Sequence, residues 1–178
     1  MSGWEPDYTA MSLFELCQWI EASGIGVYVR EDLWAFPVLV AVHMLGLTLS
    51  VGTLLWFDLR LMGFGVRNCS VSRLYRRLMP LMLPSFLIMA VSGSLIFVGF
   101  ATLAYDNIYF RIKLIGLIVA ALNAMLFHVF TEKRLARWDE ARVLPFPARV
   151  AGFISILAWM TVILAGRMIS YTMYDGGS

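Results

Sequence analysis

Four long apolar stretches dominate this sequence, at about residues 34–57, 82–104, 108–131 and 150–171. Each is close to the roughly 20 residues that a helix needs to cross a hydrocarbon core of about 30 Å. A chain surrounded by lipid must satisfy its own backbone polar groups, and none of the four stretches is broken in the way the strands of a barrel would be. The expected fold is therefore all-α, an integral membrane four-helix bundle. The composition agrees: 60% hydrophobic and 15% charged, against roughly 45–50% apolar and about 25% charged in soluble domains. A net charge of +2 gives no footing for nucleic-acid binding. With two cysteines and two histidines there is no disulfide framework, no paired-cysteine zinc site and no haem-attachment motif.

Loop charges give a direction. Arg60, Arg67, Arg73, Arg76 and Arg77 follow the first span without an acid among residues 59–79, and Lys133, Arg134, Arg137, Arg142 and Arg149 follow the third. Residues 1–32 instead carry Glu5, Asp7, Glu15, Glu21, Glu31 and Asp32 against Arg30 alone. Basic loops stay in the cytoplasm, so the chain is expected in a bacterial inner membrane, multi-pass, with both termini on the periplasmic side. The start has no basic signal-peptide region. Three parts are expected: an outer-side segment at 1–32, the four-span domain at 33–172 and a short outer tail at 173–178.

Ser12 and Glu15 have the spacing of a capping box. Leu13, Leu16, Cys17 and Ile20 then share one helical face. This predicts an N-terminal amphipathic surface helix, ended by Gly24 and Gly26, that is either an anchor or a docking surface for an outer-side partner. Cys17 and Cys69 fall on opposite sides of the membrane and cannot pair.

Ionisable groups inside a span are costly and are functional candidates by default. His43 lies about 13–15 Å into the first span. Gly46 and Ser50 share its face and form a shallow groove that admits either a neighbouring helix or a flat macrocycle. The histidine is thus a packing residue or a haem or metal ligand. Lys113 enters the third span from the outside, Arg111 lies nearby on roughly the opposite face, and Arg167 lies near the outer end of the fourth span. Each can snorkel to the interface. Alternatively, the three together would neutralise an anionic ligand, such as haem propionates, a lipid phosphate or a substrate carboxylate. Asp58, Arg60 and His128 gather near the inner interface, as an ion pair with a bonded histidine or as a quinone or second haem site. His43 and His128 differ in depth by very roughly 15 Å, too much for one iron. A haem at His43 would use Met89, Met160 or an open position as its other axial site. The small residues Gly116, Ala120 and Ala124, with Asn123, and Ala90, Gly93 and Ser94 read as helix-packing positions.

Phe36–Gly63, "FPVLVAVHMLGLTLSVGTLLWFDLRLMG", and Phe110–Phe130, "FRIKLIGLIVAALNAMLFHVF", resemble helices of a loose group of small bacterial membrane proteins. The group includes the copper-resistance D-type membrane domain, the HemJ-type protoporphyrinogen oxidases and several uncharacterised four-helix families, and the chain is most similar to one of these last. The resemblance implies haem or porphyrin handling at His43 with Lys113 nearby. The long acidic N-terminal segment departs from the oxidase pattern, and a copper site lacks a second histidine or a Met-rich outer loop.

No GxSxG, HExxH or phosphate loop is present, and Asp58 is the one acid within the spans. The resulting expectation is a protein that binds haem b, or the membrane subunit of a redox complex, passing electrons between an outer-side redox protein and the quinone pool. His43 and His128 are the candidate metal ligands, and Lys113, Arg111 and Arg167 the propionate partners. Membrane lipid, other membrane subunits or a second copy of the chain are the further partners. The alternatives are a cofactor-free structural or assembly subunit, and a porphyrin-oxidising enzyme.

Overall fold

The computed structural model describes residues 12–64, 70–131 and 144–175. Among these there are seven helices and no strand: α1 Leu13–Glu21, α2 Gly24–Glu31, α3 Ala35–Met62, α4 Val71–Gly99, α5 Ala101–Asp106, α6 Ile108–Thr131 and α7 Phe146–Asp175. Four of them, α3, α4, α6 and α7, are long and apolar enough to cross a membrane. The chain is thus an all-α, multi-pass membrane bundle. Large apolar side chains such as Leu45, Leu87, Ile115, Ile118 and Leu164 stand exposed on its flanks, as lipid contact demands.

The helices pack as α4 on α3, α3 on α7 and α7 on α6, each pair antiparallel. Glycine allows close approaches between them. A Cβ at Gly46 would lie 2.9 Å from the backbone nitrogen of Met89 in α4, and one at Gly116 would lie 2.9 Å from Val162 Cγ2 in α7. The groove beside His43 is therefore filled by helix α4. Buried hydroxyls are bonded within their own helices: Ser85 donates to the Leu81 carbonyl at 2.7 Å and Ser92 to that of Ile88 at 2.6 Å. Asn123 bridges α6 to α7 by donating to the Ala151 carbonyl at 3.0 Å. The fourth side of the bundle stays open. There α4 and α6 meet through the stacked rings of Phe97 and Phe110, 5.3 Å apart, at one end. Toward the other end they diverge around a cavity.

Two expectations are corrected. The second transmembrane helix is displaced toward the N-terminus. It starts at Val71 and ends at Gly99, where Phe100 leaves helical geometry, and Ala101–Asp106 forms a separate helix. Pro80 and Pro84 consequently lie inside α4. Gly24 and Gly26 do not end the surface helix. α1 stops at Ala22, and both glycines belong to α2, whose N-cap Ser23 accepts from Gly26 N at 3.2 Å. Gly26 is needed for close contact: a Cβ there would lie 3.0 Å from the Val98 carbonyl oxygen of α4.

The capping box of Ser12 and Glu15 is present, with bonds of 2.8 and 3.2 Å. Cys17 is buried, while Leu13 and Leu16 face outward. Glu21 fastens this segment to the bundle. Its carboxylate accepts from Thr102 N at 2.8 Å and Thr102 Oγ1 at 2.6 Å, and pairs with Arg30 at 3.1 Å. The Thr102 amide is in the first turn of α5, where backbone donors lack helical partners. The basic loop residues Arg67, Lys133, Arg134, Arg137 and Arg142, with Cys69, Glu5 and Asp7, lie outside the described residues. α7 continues as helix to Asp175, into the stretch expected as a tail.

Candidate functional site

Polar side chains collect at two levels of the bundle. At the first, His43 of α3 lies against α4. Its Nδ1 is 2.9 Å from the Met89 carbonyl oxygen and 3.3 Å from Ser92 Oγ. A carbonyl only accepts, so the proton is on Nδ1. Gly93 makes room for the ring, since a Cβ there would lie 2.9 Å from His43 Cε1. Among the described residues Nε2 has no hydrogen-bond partner, and it is not a buried atom. An imidazole fixed through Nδ1 to a carbonyl, with Nε2 open, has the tautomer and orientation of a metal-ligating histidine.

Lys113 of α6 is half-buried. Its ammonium lies beside α7: a Cβ at Gly166 would be 3.8 Å from Nζ. Among the described residues it has no ion pair. Arg111 and Arg167 do not join it. Both are exposed, and each guanidinium lies over a tyrosine ring, Arg111 over Tyr105 at 5.9 Å and Arg167 over Tyr171 at 5.6 Å. Arg111 also donates to the Tyr105 carbonyl at 3.3 Å. The three cations of the sequence reading thus resolve into one turned inward and two held at the rim.

The second level is the cavity of about 330 Å³ between α4 and α6. Phe57, Phe86, Phe127 and Trp159 give it aromatic walls, and Asp58, Asn123, His128 and Ser155 supply polar groups. Asp58 is only 4% exposed and its carboxyl is hydrogen-bonded by Ser155 of α7. Asp58 and His128, grouped by their expected depth, do reach one place. Arg60 is not among the lining residues. Ser155 and Trp159 carry no sequence signal of a site.

The two levels are far apart. From Lys113 to His128 along α6 is about 22 Å at the helical rise per residue, so His43 and His128 cannot share one iron. Met89, considered as a second axial ligand, is buried, and its sulfur accepts from Ser50 Oγ at 3.8 Å. Met160 is half-exposed. Among the described residues no three His, Cys, Asp or Glu side chains converge on one point.

Compared with protein-family models, with curated proteins and with solved structures, the chain gives no match.

Proposed function

We propose that the chain is a b-type haem-binding membrane protein, the membrane subunit of a redox complex that passes electrons between an outer-side partner and the quinone pool. One observation carries this reading: His43 Nδ1 is fixed to the Met89 carbonyl at 2.9 Å, and its Nε2 has no hydrogen-bond partner among the described residues. An imidazole nitrogen suits iron and an ammonium suits a propionate. A haem held there would supply one-electron chemistry, and the protein's part would be binding, orientation and electrostatics. His43 would be the axial ligand and Met89, through its carbonyl, the group that fixes the ligand's tautomer. Lys113 would take an anionic edge, while Arg111 and Arg167 would contribute only at the rim. The filled groove at Gly46 excludes the macrocycle from the α3–α4 seam and leaves the Nε2 side.

A second reading has its own observation. Gly46 and Gly93 close α3 and α4 tightly around the His43 ring, which is how a polar side chain joins two membrane helices. In that case the chain is a cofactor-free structural or assembly subunit.

The test is an absorption spectrum of haem-supplied protein in mild detergent, oxidised and dithionite-reduced. A Soret band with reduced α and β bands, lost in His43→Ala and retained in Arg167→Gln, is the expected result. A featureless spectrum from folded protein would overturn the haem reading and leave the structural one.

A further inference from the structure

The cavity between α4 and α6 is not used by His43 or Lys113, and its chemistry is specific. We infer that it binds a quinone-class molecule, a flat ring with oxygens on its edge and an apolar tail. At about 330 Å³ it falls within the usual range for small-molecule sites, apolar with a few convergent polar groups. Its mouth lies where α4 and α6 part, and Leu83, Ala121 and Ala124 at that mouth are exposed on the lipid-facing flank. A ligand therefore enters from the hydrocarbon and must itself be lipid-soluble.

The interior narrows the class. Phe57, Phe86, Phe127 and Trp159 offer ring faces and edges on several sides, which suit an aromatic or quinonoid ring. Asp58 from α3 and His128 from α6 lie toward the end away from His43. A carboxyl group bonded by one serine has further acceptor sites, and an imidazole both donates and accepts. Such an end is matched by a ligand with oxygen atoms on its ring. A phospholipid phosphate would bring a second acidic group against Asp58. A quinone head meets the polar end, its ring meets the aromatic walls, and its tail leaves through the gap beside Ala121 and Ala124.

This site deepens the redox reading by giving its quinone side a place, and it rests on that reading for the choice of quinones among ring-bearing lipids. The experiment keeps the two separable. The full chain is reconstituted in phosphatidylcholine nanodiscs and dialysed to equilibrium against a decyl-benzoquinone, with empty discs as the partition control. Saturable uptake of one quinone per chain is expected. Ala124→Phe, which fills the mouth from an exposed position, should weaken uptake roughly tenfold or more, with Ala121→Phe as the second blocking variant should the first fail to fold. His43→Ala should bind quinone as the unmodified chain does. Uptake no greater than in empty discs overturns the site, as does unchanged uptake in a folded blocking variant or equal displacement by decanol. Loss of the haem spectrum in His43→Ala with quinone binding intact leaves both proposals standing, whereas a haem-free chain that still binds quinone removes only the haem reading.

Discussion

Replacing Gly46 by alanine tests the α3–α4 seam on which the His43 geometry depends. The new Cβ would meet Met89 N at 2.9 Å, Ser85 O at 3.0 Å and Met89 Cα at 3.1 Å. All three are backbone atoms of α4, so no side chain can swing away. Ordinary contact begins near 3.4 Å, and the helices must part by about half an ångström. Overpacking of this kind costs about 1–3 kcal/mol. Parting also stretches the His43–Met89 bond from 2.9 Å beyond the usual N–H···O range, which ends near 3.2 Å, for a further loss of about 0.6 kcal/mol. Less the helix-propensity gain of about 0.5–1 kcal/mol, the expected destabilisation is about 0.6–3 kcal/mol. Gly52, in the same helix, has nothing within 4 Å of a built Cβ. Gly52→Ala should be neutral or stabilising by about 0.5–1 kcal/mol, through helix propensity alone. Both variants would be unfolded reversibly in mixed micelles of rising SDS fraction, with tryptophan fluorescence as the probe. The reasoning is refuted if the two unfold at the same SDS fraction, because the glycine at 46 would then not set the interhelical distance.

Other outcomes follow from the same geometry. Gly93→Ala pushes on the imidazole rather than on backbone, so it should lower haem occupancy several-fold while costing less stability than Gly46→Ala; equal occupancy by pyridine haemochrome assay would count against the ligand role. Glu21→Ala removes the carboxylate that holds Thr102 and Arg30, bonds to a charged group worth about 1.5–3 kcal/mol, so alkylation of buried Cys17 by a maleimide should accelerate about tenfold or more, and an unchanged rate would show that other contacts fasten α1 and α2. Asn123→Leu breaks the bond to the Ala151 carbonyl between α6 and α7 and should cost about 0.6 kcal/mol and no more than about 1.7 in the same SDS titration. For direction, Leu33→Cys should react with a membrane-impermeant maleimide in intact cells and Ser70→Cys only after permeabilisation; the reverse pattern would invert the orientation read from the loop charges.

What the sequence made legible and what it hid divide along one physical line. The spans are local facts: an apolar stretch of the right length in lipid has to be helical, and α6 starts and ends where hydropathy placed it. The capping box is local too, with donor and acceptor three residues apart. Hydropathy reports the solvent of a side chain, not the bonding of its backbone, so the polar first turns of α4, with Arg73, Arg76 and Arg77, were hidden beyond the lipid boundary. The break at Phe100 is non-local. No proline marks it, and the carboxylate that caps α5 comes from Glu21. Gly46 announced a groove, but whether a helix or a macrocycle fills it depends on where α4 lies, and spacing within α3 cannot say.

The cations show most clearly why depth alone is not enough. Arg111, Lys113 and Arg167 were placed at one height, with Arg111 on roughly the face opposite Lys113. Rotation decides their roles. Two residues along a helix turn the side chain by about 200°, since 3.6 residues complete a turn, so Arg111 and Lys113 diverge, and the structure sends Lys113 against α7 and Arg111 to Tyr105. Arg167 follows Gly166, the residue that lets Lys113 lie against α7, and is itself drawn over Tyr171 four positions on. A glycine rather than an arginine thus faces the lysine. The ammonium keeps no carboxylate within salt-bridge distance among the described residues, although a bundle of this kind could have provided one: Asp58, buried at the opposite level, shows that this chain tolerates an acid between its helices. That the inward cation and the inward acid are kept apart, each at its own level, is unexpected if both serve only to join helices, because a single pair would satisfy them at lower cost. It is the distribution expected if each level receives a different ligand.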